Sequence, residues 1–244
     1  LPWLAEHPGN PSGSHRLARE ARRAIDDARD AVAALIDADP GDVVFTSGGT
    51  EADNLAVDGV LGARGGVAVC GATEHPAVLD PVRLSGGVVV PTDVGGRIDL
   101  GALVDALDAI ADVRLVSVMA ANNETGVVNP VPEVAALVAG HAPEALVHTD
   151  AVQATAWLDL SDACRGAHLV SITGHKFGGP KGAGALVLRG GATVAPMLRG
   201  GGQERERRSG TQNVPAIVGL GMVATLVTAD REATAARVGA LRDR

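Results

Sequence analysis

The sequence predicts an α/β fold, with a mostly parallel central sheet flanked by helices. Three observations carry this: seven short β-branched runs, helix-length segments or glycine loops between them, and glycines gathered where the runs end. Strands alternating with helices are joined by crossovers, which make neighbouring strands parallel and cover both faces of the sheet. With 244 residues, 46% of them hydrophobic and 20% charged, the chain can enclose a sizeable core.

The first element is helical. Leu17, Ala21, Ala24, Ala28, Val32 and Leu35 recur at spacings of three and four, with Arg, Asp and Glu on the opposite face. Ser14 is the expected cap, and Asp39-Pro40-Gly41 the stop. The strands expected next are Val43–Thr46, Val67–Cys70, Val88–Val90, Leu115–Met119, Leu146–His148, Leu169–Ile172 and Ala185–Leu188. From Val214 to Arg244 the pattern is one long helix, weakened at its start by Gly219 and Gly221. Ligands of open parallel sheets sit at the carboxyl ends of strands, so the glycine loops there are where chemistry is expected.

Composition excludes several functions. Four aromatic residues and no tyrosine argue against a stacking platform for single-stranded nucleic acid. A net charge of −8 disfavours any polyanionic partner. Cys70 and Cys164 make neither a disulfide framework nor a CxxC zinc site, so reducing cytoplasm is the expected setting. The opening LPWLAEHPGNPSG lacks the pattern of a signal peptide. The apolar run Ile217–Val227 is about half of the ~20 residues that span a bilayer, so no membrane association is expected.

Four segments carry the chemistry. Val43 to Ala52 reads strand, glycine turn, helix: backbone N–H groups around Gly48 and Gly49, the positive end of the helix and the Thr50 hydroxyl suit an anion. His75 follows the Val67–Cys70 strand, where a histidine serves as acid, base or stacking surface, or simply as a polar loop residue. Asp150 ends another strand. Lys176, in Thr173-Gly174-His175-Lys176-Phe177-Gly178-Gly179, follows a buried strand and is poorly placed for a solvated surface charge; a desolvated lysine there suits Schiff-base chemistry. Lys181, between Pro180 and Gly182, reads as a turn residue. Pyridoxal 5'-phosphate needs a Schiff-base lysine, an acid at its ring nitrogen, a phosphate cup and a group against its ring face. Lys176, Asp150, Thr50 with its glycines, and His75 supply all four.

The motifs TSGGTEADN, TEHPAV, ANNETG, HTDAVQ, SITGHKFGGPKG and GGGQERERRSGTQN, in this order and with Gly9-Asn10-Pro11-Ser12 ahead of them, resemble the cysteine desulfurases of the class V aminotransferase group. The resemblance covers essentially the whole chain and implies the large domain of the fold-type I pyridoxal-phosphate enzymes. It implies that Lys176 carries the cofactor, Asp150 pairs with the pyridine nitrogen, and Gln153 meets the phenolic oxygen with Asn123 beside it. It further implies that His75 stacks on the ring and transfers protons, while Gly49, Thr50, Thr173 and His175 hold the phosphate. Thr173 stands where serine is more usual and keeps the hydroxyl. Thr211 would reach the cofactor of a second copy, making the enzyme a homodimer. The implied reaction converts L-cysteine to L-alanine and passes sulfur through an enzyme persulfide to an acceptor or scaffold protein, for iron–sulfur clusters or thiolated tRNA.

In this family the nucleophilic cysteine and the carboxylate-binding arginine lie in the C-terminal portion, and an Asp-Asn-Ala-Thr-Thr type segment opens the domain. Neither is found here, and the chain begins at Leu1, so it is expected to be part of a longer protein. Residues 1–213 would be the cofactor-binding large domain, and 214–244 a helix leading toward a small domain. Cys70 and Cys164 are read as partly buried fillers. Two alternatives stand beside the desulfurase: a selenocysteine lyase-like relative, and a catalytically silent cofactor-binding fragment. The run Glu204-Arg205-Glu206-Arg207-Arg208 is expected to form a loop ion network rather than a nucleic-acid patch.

Overall fold

The computed structural model describes residues 2–244. A short helix α1 (Pro2–Ala5) precedes α2 (Arg16–Ile36), and then strands and helices alternate. They are β1 (Val43–Thr46), α3 (Gly49–Arg64), β2 (Val67–Gly71), α4 (Pro76–Leu84), β3 (Val88–Val90), α5 (Leu100–Ala109), β4 (Val113–Ser117) and α6 (Val131–His141). β5 (Leu146–Asp150), α7 (Leu160–Ala163), β6 (Leu169–Thr173), β7 (Gly184–Leu188) and α8 (Val214–Arg242) complete the order.

All seven expected strands form. The fourth begins two residues earlier than its pattern suggests and ends at Ser117, although Val118 and Ala120 still donate to His148 and Asp150 of β5. The cap of α2 is His15, not Ser14: its Nδ1 accepts from Ala18 N at 3.3 Å, while the Ser14 carbonyl takes the Arg19 guanidinium. The helix ends at Asp37, in the left-handed region, ahead of Asp39-Pro40-Gly41.

The seven strands make one sheet in the order β1-β7-β6-β5-β4-β2-β3. Only β7 is antiparallel to its neighbours, so six strands present their carboxyl ends along one edge. Alternation in each strand divides the interior into two cores. Val43, Phe45, Val116, Val147, Val170 and Val187 face α2, α5, α6 and α8. Val44, Cys70, Leu115, Leu146, Leu169 and Leu186 face α3 and α4.

Gly219 and Gly221 of α8 are seats for close packing rather than weak points. A Cβ on Gly221 would stand 2.6 Å from Ala28 Cα, and one on Gly219 would stand 2.8 Å from Pro180 Cγ. The first half of α8 thus packs into the same core as α2, burying Val214, Ala216, Ile217, Leu220, Gly221 and Ala224. Taken whole, α8 is longer than the Ile217–Val227 run alone: it is the one helix among the described residues that meets the length and hydropathy of a membrane span, with mean hydropathy 1.4 over 18 residues.

Candidate active site

Along the carboxyl edge, five parallel strands deliver side chains to one cavity of about 200 Å³. The β1–α3 turn brings Gly49 and Thr50, the loop after β2 brings His75, and the segment after β4 brings Met119, Ala121 and Asn123. β5 brings Asp150, Val152 and Gln153, and β6 with the following turn brings Thr173, His175 and Lys176. Of the residues expected from the sequence, only Thr211 is not among those lining this cavity; it is exposed on the loop before α8. Asp53, Met119, Ala121 and Val152 line it without having been anticipated.

Thr50 and Gly49 open α3, a helix of 16 residues whose first turn has no side-chain cap. Gly49 and Thr50 line the cavity, which sets the positive end of the helix, with its unpaired leading N–H groups, beside it. Gly49 sits close under Val152: a Cβ there would lie 2.9 Å from Val152 Cγ2 and force it to shift. Opposite, Thr173 Oγ1 lies 3.2 Å from His175 Nδ1 and 3.2 Å from the Ala183 carbonyl. Burial, with Lys176 and Lys181 near by, holds the His175 ring below the usual histidine range.

His75 is fixed as the cap of α4, Nδ1 accepting from Ala77 N at 3.1 Å. In the neutral ring that bond leaves the proton on Nε2. Asn122 locks the ANNETG turn: its Oδ1 accepts from Glu124 N, Thr125 N and Thr125 Oγ1, and its Nδ2 donates to the Thr73 carbonyl at 3.1 Å. That ties the turn carrying Asn123 to the loop carrying His75.

Asp150 is buried, with Oδ1 accepting from Val152 N at 2.8 Å. Burial raises its proton affinity; the Val152 N–H, His75 and Lys176 work against the rise and favour the anion. Lys176 corrects an expectation. It stands on the 3-10 turn Gly174–Lys176 as an exposed residue rather than a desolvated one. Lys181 is exposed in a turn, as its flanking residues suggest.

The two cysteines lie away from this chemistry and are wholly buried rather than partly so. Burial pushes both thiols up to about 12, reinforced at Cys70 by Glu74. The run from Glu204 to Arg208 resolves into ion pairs. Glu204, enclosed by the fold, takes both guanidinium nitrogens of Arg29 at 2.9 Å and the Phe45 N–H at 3.0 Å. Arg208 grips Glu51, one residue beyond Thr50, at 2.6 and 3.1 Å. Among the described residues no cluster of His, Cys, Asp and Glu suits a metal.

Residues 2–243 match the family described as Aminotransferase class-V. The chain belongs to that family. It is 46% identical to a cysteine desulfurase of Rhodobacter capsulatus over its whole length, and spans 64% of that relative. A solved structure described as a NifS-like protein superposes with a TM-score of 0.94 at 35% identity, covering 99% of this chain and 68% of the other. A second, SspA in complex with cysteine, gives 0.82 at 33% identity, covering 91% and 66%.

Proposed function

We propose that this chain is the cofactor-binding portion of a pyridoxal-phosphate-dependent cysteine desulfurase. The observation that carries the reading is the convergence of Lys176, Asp150, His75 and the uncapped start of α3 on one cavity. The donor set fits the cofactor: a glycine cradle that a Cβ would fill, free N–H groups for a dianion, and a buried carboxylate facing inward. When bound, pyridoxal phosphate supplies a ring that withdraws electrons from the substrate carbon.

Each residue has a part in this reading. Gly49, Thr50, Thr173 and His175 hold the phosphate, and Lys176 anchors the cofactor through its amine. Asp150, biased toward the anion by the Val152 N–H and by nearby positive charge against the rise that burial causes, would pair with the ring nitrogen. His75 covers the ring face and moves protons through Nε2, since Nδ1 is engaged by Ala77. Gln153 and Asn123 bind the polar edge and the substrate carboxylate.

The substrate is L-cysteine, which the cysteine-bound SspA relative supports, and the product L-alanine. The thiol that takes the sulfur is neither Cys70 nor Cys164, because a thiolate is required and both are sealed and pushed up to about 12. Thr211 completes the phosphate site of a second copy, and sulfur passes to an acceptor or iron–sulfur scaffold protein in the cytoplasm.

Titrating the purified chain with pyridoxal phosphate tests the reading. The expected outcome is a visible absorbance band that Lys176→Ala abolishes; a band unchanged by that substitution overturns the role of Lys176. Given cysteine, this polypeptide alone should release little sulfide. Release at the rate of a competent desulfurase, abolished by Cys70→Ser, would show that the buried thiols had been misjudged.

A further inference from the structure

Beneath the cavity lies a second polar layer. Three strands read alike toward α3: Leu115-x-Ser117-x-Met119, Leu146-x-His148-x-Asp150 and Leu169-x-Ser171-x-Thr173. Because alternate strand residues share a face, the leucines pack in the core under α3, the last members reach the cavity, and Ser117, His148 and Ser171 form a buried row between. His148 bridges the row, with Nδ1 2.8 Å from Ser117 Oγ and Nε2 2.9 Å from Ser171 Oγ.

Asp53 enters this row from the helix side. It follows Thr50 by three residues on α3 and is 1% exposed. Its Oδ1 stands 3.6 Å from His148 Nε2 and has no hydrogen-bond partner, and the Ser171 hydroxyl faces the same carboxyl. Asp53 also lines the cavity itself. It therefore lies between the three groups assigned to the cofactor: one helical turn from Thr50, one strand repeat from Asp150 through His148, and one from Thr173 through Ser171.

We propose that Asp53 is a positioning residue for this site, tying α3 to the Ser117–His148–Ser171 row and so fixing Thr50, Asp150 and Thr173 relative to one another. The inference rests on the cofactor reading above. Charge bookkeeping supports it. The groups facing Asp53 are Asp150 and His148 from β5, Ser171 from β6, and Glu74 from the loop after β2. None supplies a cation, since burial holds the His148 ring neutral, down to about 3. Burial first, then Asp150 and Glu74, push the Asp53 carboxyl well above its ordinary range. Asp150 alone has Lys176, His75 and a backbone N–H in its favour. A carboxyl pushed toward its neutral form in this way can donate into the hydroxyl–imidazole row, while Asp150 is the member of the pair with cations on its side.

The test compares wild type, Asp53→Asn and Asp53→Ala, measuring the dissociation constant of pyridoxal phosphate against pH and the absorbance spectrum of the loaded protein. Asparagine keeps the shape, the neutrality and a donor, so its affinity should stay within about twofold of wild type. Alanine should weaken binding about tenfold, the loss expected when a buried polar partner is removed. Wild-type affinity should also fall at high pH, where Asp53 ionises beside Asp150, and that component should be absent from Asp53→Asn. Wild-type binding with Asp53→Ala unchanged, or Asp53→Asn as weak as Asp53→Ala, overturns the proposal alone. Failure of the wild type to bind overturns the cofactor reading and this inference with it.

Discussion

Cys70 is the next-to-last residue of β2 and Cys164 caps α7, and neither has surface exposed to water. A thiol pushed up to about 12 presents very little thiolate at pH 8. Alkylation or disulfide exchange on the folded chain should run about a thousandfold or more below an ordinary cysteine near 8.5. Two thiols should become reactive only on unfolding; a rapidly labelled thiol in the native protein would refute the burial argument. The sequence could place these residues in a strand and a turn, yet could not say that both are sealed. Asp53 was hidden for a related reason. An aspartate in the first turns of a helix usually faces water, and here two strands distant in sequence close over it. Lys176 shows the converse: its buried-looking neighbours read as desolvation, while the turn holds it at an open rim.

At the scale of elements, α2 and α8 touch where side chains are smallest. Gly221→Ala would place a methyl 2.6 Å from Ala28 Cα, so the helices must part. Overpacking of this kind costs about 1–3 kcal/mol, which a urea-unfolding midpoint would register, while Gly239→Ala, with open space around it, should be neutral or stabilising. The turn Glu204–Glu206 is a second element-scale device. Glu204, Arg205 and Glu206 have φ of 50°, 57° and 65°, a left-handed run without glycine, held by the Arg29–Glu204 pair. Glu204→Ala leaves the Arg29 guanidinium, 12% exposed, without its partner. The expected loss is about 3–5 kcal/mol in chemical denaturation, the range for breaking a buried pair; a loss below about 1 kcal/mol would mean the pair is solvent-screened. The alternating acids and bases correctly suggested ion pairs here, but the partners lie on α2 and α3, more than 150 residues away in sequence.

Among the described residues, burial favours the neutral forms of His148, Glu74 and Asp53, and these groups bend the stability profile in opposite directions. His148 titrates near 3 when folded against 6.5 in its ordinary state, so the unfolded chain takes up the extra proton. Stability therefore falls as pH drops from about 6.5 toward 3. Glu74, like Asp53, is raised well above its ordinary value by burial, so here the folded chain holds the extra proton. Stability then falls as pH rises above the ordinary carboxylate range, by at most about 1.4 kcal/mol per pH unit for each group. Glu74→Gln, which retains an acceptor for Met119 N, should flatten that neutral-to-alkaline decline in thermal unfolding; an unchanged slope would mean Glu74 is ionised in the native state. Sequence alone determined the alternation of strand and helix and the edge where ligands belong, because periodicity and strand-end motifs are local properties of the chain; nine of the thirteen cavity residues followed from those motifs together with the family resemblance. Tertiary structure alone decided which groups are sealed from water and which carboxyls share one small volume. Those depend on the β4, β5 and β6 register and on where α3 settles across them, and desolvation, unlike periodicity, exists only once distant segments have met.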